Sequence, residues 1–376
     1  MSANHFADLD FFRVPTTIER CLHFVSRRTG QCQFAQVTRV QYCPRRGFDF
    51  ALVKIACAIC LVYVISVGVR RVRELLEEHR EYRLVKAQQK YGKLAQMGTQ
   101  QRSSAHTIEI VDKIHNGLIG RAYYAKAWYS NIRKSIGVGK EAPVPAQLDW
   151  DLWQGPAPRV AYKDNVQPYN WHWFKIWGTG ETLNNGTHEI DVCRWALDVD
   201  YPRSISSSGG RYHFKDDWQF YDTLVTNFNY EDKMISWECK CCEGMRFYGR
   251  DRGSVIIGTT GSVLVDRDGY EIYDLKGNKT SEFKAGSVTS STDLTGRDSM
   301  TDAHFANFIA GVRKGDKLNA PVSIGNVAVT MLQLSNVAWE LGRELQLDSA
   351  TGQPRNDPDA MKLWGRQYEK GWEPRV

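Results

Sequence analysis

Apolar and polar positions change their rhythm at about residue 85 of this 376-residue chain. Downstream, short alternating runs at 122–129, 204–214, 223–230, 234–241, 253–257, 262–266 and 270–274 have the period of two that marks strands. Asp268-Gly269 is a hairpin signal between two of these runs, and Glu231-Asp232-Lys233 joins another pair. Strands joined by such short turns predict a mostly antiparallel sheet. Helical spacing occurs at 186–197, 301–313 and 322–345. The last carries Val327, Met331, Leu334, Val337 and Leu341 on one stripe, which suits it to lie across a sheet face.

Upstream, Val72, Leu75, Leu76 and His79 predict an amphipathic helix over 70–91, with Gly92 as its stop. A short strand at 94–97, a polar turn at 98–104 and a second helix at 104–116 follow. This is the order of the closing unit of a doubly wound domain. The expected fold class is therefore α/β: an incomplete Rossmann-like N-terminal part, then an α+β domain with a large, mostly antiparallel open sheet covered by helices on one face. The expected division is an atypical segment at 1–85, the closing unit at 86–118, a substrate and catalytic domain at 119–345, and an extension at 346–376.

Composition sharpens the split. Residues 1–85 carry 13 Arg and Lys against 8 Asp and Glu, so nearly all of the net charge of +6 lies there. The main body is close to neutral and no nucleic-acid partner is expected. Residues 51–69 are almost wholly apolar, with one Lys at position 54. They could span a bilayer, follow Arg45-Arg46 as part of an export signal, or form buried strands. The pattern does not separate these, and the cytoplasm is the default location. Nine cysteines in a large apolar-rich chain suggest no disulfide scaffold. Cys239-x-Cys241-Cys242 lacks zinc-knuckle spacing, so buried thiols and no metal are expected.

A dinucleotide-binding turn needs three closely spaced glycines. Residues 1–85 hold only Gly30, Gly47 and Gly68, and the near-matches at Gly137 and Gly178 have the wrong context. Chemistry concentrates elsewhere. In Asn184-Asn185-Gly186-Thr187-His188-Glu189-Ile190-Asp191, a turn leads into a helix, with His188 in its opening turn and Asp191 one turn on. Such a histidine can accept a hydroxyl proton, with an acid nearby to orient it. A capping segment with a structural histidine fits the same letters. Tyr169-Asn170-Trp171-His172-Trp173 is the second cluster.

Five motifs occur in order: Gly98-Thr99-Gln100-x-Arg102-Ser103, Leu148-Asp149-Trp150-Asp151-Leu152-Trp153-x-Gly155-Pro156-Ala157-Pro158, Asn170-Trp171-His172-Trp173, Gly186-Thr187-His188-Glu189-x-Asp191-x-x-Arg194-Trp195, and the late helix ending Leu341-Gly342-Arg343. Together they resemble the glucose–fructose oxidoreductase/inositol dehydrogenase (Gfo/Idh/MocA) family over about residues 86–372. The resemblance implies an NAD- or NADP-dependent oxidoreductase acting on a sugar or polyol by hydride transfer; a homo-oligomer is expected because the open sheet face would otherwise be exposed. It implies that His188, with Asp191 and Asn184, is catalytic, and that Gln100 and Arg102 meet the cofactor. It implies that Tyr169, Trp171, His172 and Trp173 line the substrate pocket. Aromatic faces there would stack on sugar C–H surfaces, or else on a neighbouring subunit.

Departures bear on activity. Asn184 stands where many members have Asp, no Glu-Lys-Pro occurs, and the glycine fingerprint is missing. A truncated, frame-shifted or rearranged N-terminus ahead of an intact C-terminal module is expected, with impaired cofactor binding. An NAD-using glycosidase and a non-catalytic carbohydrate-binding or scaffold protein are the alternatives.

Overall fold

The computed structural model describes residues 83–285 and 299–373. The apolar run 51–69 and most of the 70–91 helix lie outside them. The described chain enters on helix α1 (Arg83–Tyr91), a 3-10 turn (Gln100–Ser103) and α2 (Ala105–His115), then reaches strand β1 (Ala122–Ser130). Three short helical pieces follow: α3 (Trp150–Trp153), a second 3-10 turn (Asn170–Trp173) and α4 (Gly180–Asn184), which abuts α5 (Gly186–Leu197). Seven strands come next: β2 (Ser204–Gly210), β3 (Thr223–Asn229), β4 (Met234–Lys240), β5 (Arg252–Gly258), β6 (Gly261–Asp266), β7 (Gly269–Asp274) and β8 (Lys279–Lys284). Helices α6 (Ser299–Lys314) and α7 (Val322–Leu341), strand β9 (Leu345–Gln346) and α8 (Pro358–Leu363) complete it.

The nine strands form one open sheet in the order β8-β7-β6-β5-β1-β4-β3-β2-β9. Every neighbouring pair is antiparallel except β1 and β4, which run parallel at the centre. The sheet is thus mixed and mostly antiparallel, as the short turns imply. A parallel pair needs a long crossover. The crossover between β1 and β4 contains α3, α4 and α5, and it carries the residues of interest.

Helix α5 lies across β1 and β5, and α7 across β2. Between helices and sheet sits the main core, with Ile190, Leu197, Ile205, Tyr221, Leu224, Phe228, Ile235, Trp237 and Ile256 buried. On the other face Trp128, Val255 and Leu264 form a small cluster under Phe247. That face also carries the Lys126–Glu238 ion pair and the Tyr124–Ser236 hydrogen bond, so it is mixed rather than apolar.

Several expected boundaries shift, each for a local reason. The strand expected at 94–97 is only a bridge between Gln96 and Pro321, held by Met97 N–H to the Ala320 carbonyl and Val322 N–H to the Ala95 carbonyl. The run expected to reach 214 stops at Gly210, because the Asp222 carboxylate accepts from the Tyr212 and His213 amides and turns the chain away. The helix expected to reach 345 ends at Leu341, where Gly342 takes φ +63°, the left-handed helix stop. Leu345–Gln346 then pairs with β2 instead.

Candidate functional site

The site is built where α4 meets α5. Gly186 opens α5 hard against the sheet: a Cβ there would stand 3.0 Å from the Trp237 indole. Trp237 in turn donates its indole N–H to Thr182 of α4 at 3.1 Å. This fixes both short helices over the central strands, with Asn184 and His188 one turn apart at the junction.

Below the junction, buried charges are paired. Glu181, fully buried, accepts from Asn185 and, at 3.3 Å, from Asn184, and it pairs with Arg133 at 3.2 Å. Glu189 holds Arg252 at 2.6 Å and receives the Gln101 amide at 3.3 Å. Asp191 takes a two-pronged bond from Arg102, at 2.6 and 2.9 Å, and lies 3.6 Å from Arg194. The Arg102 guanidinium also lies 4.9 Å from the Trp195 ring. Two consecutive side chains of the Gln100–Ser103 turn are therefore clamped to two carboxylates of α5. Ser103 is tied to His304 at 2.7 Å, whose other nitrogen faces the Met97 carbonyl at 2.7 Å. That carbonyl can only accept, so Nε2 of His304 is the nitrogen that donates to it.

His188 is left outside this pairing. No hydrogen bond joins it to Asp191 among the described residues, since both Asp191 oxygens serve Arg102. Its Nδ1 is sealed from solvent and has no partner among them. Burial holds its pKa well below the ordinary value of 6.5, and Arg267, Arg252 and His304 push the same way. The ring is accordingly neutral at neutral pH. Gln100 resembles it in having a sealed side-chain oxygen with no partner among the described residues. Its neighbour Gln101 is the one that reaches α5.

The aromatic stretch divides. Tyr169, 37 % exposed, receives the Asn184 amide at 3.4 Å and stacks near His172 at 4.3 Å. His172 lies 3.8 Å from Trp171 and donates from Nδ1 to the Tyr169 carbonyl across 2.7 Å, which makes Nδ1 the protonated nitrogen. Burial lowers the His172 pKa, against the pull of that carbonyl and of Glu181. Trp171 faces a separate cavity of about 240 Å³ with Trp153, Trp177 and Tyr368. Trp173 is 2 % exposed and stacks on buried Trp218 at 4.1 Å, so most of its ring packs in the core.

Arg133, Glu181, Glu189, Gln101 and Arg252 escape sequence reasoning. Glu189 adjoins His188 and could have been singled out, but Arg133 and Arg252 come from β-strand margins with no local motif. Among the described residues no cluster of His, Cys, Asp and Glu could hold a metal ion, and no helix is long and apolar enough to cross a membrane. Cys193, Cys239 and Cys241 are buried thiols.

Neither a family model nor a curated protein matches the sequence. Solved structures do match in fold. The aldose-aldose oxidoreductase from Caulobacter crescentus complexed with glycerol is 12 % identical, with 70 % of this chain and 67 % of that chain covered at a TM-score of 0.50. An NAD binding oxidoreductase from Klebsiella pneumoniae is 13 % identical, with 72 % and 70 % covered at a TM-score of 0.50. Over about 70 % of its length, then, this chain shares the fold of these two oxidoreductases, at low sequence identity.

Proposed function

We propose that the chain is an oxidoreductase acting on a sugar or polyol, with His188 as the base that takes the substrate hydroxyl proton. The carrying observation is the isolated, neutral His188 ring at the α4–α5 junction. With its proton on Nδ1, the neutral ring would keep the Nε2 lone pair for a hydroxyl. Asn184, which cannot relay a proton, would hold a neighbouring hydroxyl together with Tyr169 and His172. Asp191 acts through Arg102 as a positioning residue, fixing the turn that carries Gln100. Residues 86–118 would be the closing piece of a cofactor domain.

The fit of a nicotinamide cofactor is uneven. The unpartnered Gln100 oxygen is an acceptor suited to a carboxamide, and the clamped turn offers a rigid wall. No glycine-rich turn occurs in the described residues or in residues 1–85 to cradle a pyrophosphate. A bound nicotinamide would supply the hydride acceptor, and no choice between NAD and NADP follows. The same lack of a cradle favours a second reading, sugar binding without redox chemistry.

Titration of NADH and NADPH into the full chain, read by quenching of its twelve tryptophans, separates the two. Saturable binding, with turnover abolished by His188→Ala, supports the oxidoreductase. No binding at millimolar cofactor, with sugar binding retained, leaves only the second reading.

A further inference from the structure

The Arg133 guanidinium is only partly engaged by its neighbours. Its Nε and Nη2 reach Glu181 at 3.3 and 3.5 Å, and Nη2 donates to the Tyr129 hydroxyl at 3.0 Å. Nη1 has no hydrogen-bond partner among the described residues. The rings of Tyr129, Tyr169 and Trp173 surround the guanidinium at 5.5, 5.6 and 5.7 Å. Its side chain keeps 19 % of its surface exposed, while Glu181 has none. The group is thus fixed from behind by a buried carboxylate, caged by aromatic faces, and open on one edge beside Tyr169 and Asn184. Fixing the fork in advance lowers the entropy lost when it binds a ligand.

We propose that Arg133 sets substrate specificity and that the substrate is a sugar acid whose carboxylate bonds to Nη1. This rests on reading the α4–α5 junction as the sugar site. Hydroxyls alone do not call for a free guanidinium edge, whereas a carboxylate makes the strong charge-assisted bond there. Arg252 is already matched by Glu189 and Arg133 by Glu181.

Calorimetric titration of the full chain with D-glucuronate and with D-glucose tests this. Glucuronate should bind at least about tenfold more tightly, the return on one charge-assisted bond. Because Arg133→Met alone strands the buried Glu181, the informative variant is the double replacement Arg133→Met with Glu181→Gln, its fold checked by thermal melting. In it the affinity ratio should fall to about one. Equal affinities in the unaltered chain, or an unchanged ratio in the double variant, overturn the inference and leave the sugar site standing. Binding of neither sugar overturns both.

Discussion

At the scale of single residues, the His188 ring has two consequences, one for chemistry and one for stability. Its pKa is depressed by burial and then by neighbouring cations. Above pH 6.5 the ring is neutral in both folded and unfolded chains, so it makes no difference between them. Below pH 6.5 the unfolded chain takes up a proton that the folded ring refuses. Stability should fall by up to about 1.4 kcal/mol per pH unit from this group until the folded ring itself titrates. His188→Gln removes the term. Denaturation midpoints measured from pH 7.5 to 5 should slope less in the variant, and parallel slopes would count against a depressed pKa. The position of His188 was legible because the turn before it and the helix after it are local patterns. Its isolation was not, because Arg252 at the start of β5 and Arg267 in the β6–β7 turn lie more than sixty positions away in the sequence. Trp173 teaches the same lesson from the other side. Within Asn170-Trp171-His172-Trp173, nothing local says which indole meets Trp218.

Elements obey the same division. Helix α5 could be bounded from sequence, because Gly186 and the apolar stripe both lie within it. Strand β8 could not, since Lys279–Lys284 is exposed at every position and has no apolar alternation to detect. Its pairing with β7 is a property of the sheet edge. The parallel β1–β4 pair was equally hidden, because α5, β2 and β3 intervene and no local pattern says that β4 returns beside β1. What locks α5 in place is the absent side chain of Gly186 over Trp237. Gly186→Val forces two β-branch methyls into that contact and should destabilise by about 1–3 kcal/mol, the usual cost of overpacking. It should also spread the α4–α5 junction, so sugar affinity should weaken along with the melting temperature. A variant that melts lower but binds sugar unchanged would show that the junction is not the binding site. Arg102→Met offers an independent probe of the α5 clamp. It leaves Asp191 buried between Arg194 and apolar neighbours and should cost about 3–5 kcal/mol, with Arg102→Lys recovering only part because the two-pronged bond is lost.

On the scale of the whole molecule, three buried arginine–carboxylate pairs stitch separate pieces of chain into one site: Arg102–Asp191, Arg252–Glu189 and Arg133–Glu181. They join the Gln100–Ser103 turn, β1, β5, α4 and α5. Burial of such pairs contributes little net stability, since desolvation offsets most of the attraction. Their value is positional, because each carboxylate accepts only the partner that reaches it. This yields an asymmetry that a melting experiment can read. Glu189→Gln leaves Arg252 charged and buried, and should lower stability by about 3–5 kcal/mol. Combining it with Arg252→Met removes both charges and should recover most of that loss. Recovery of stability need not restore function, because Gln101 would no longer be held by a charged Glu189. If the pair exists to position the turn, the double variant should melt near the unaltered chain yet bind sugar more weakly. Should it regain binding together with stability, the pair is a packing element and the turn is held by Arg102 alone.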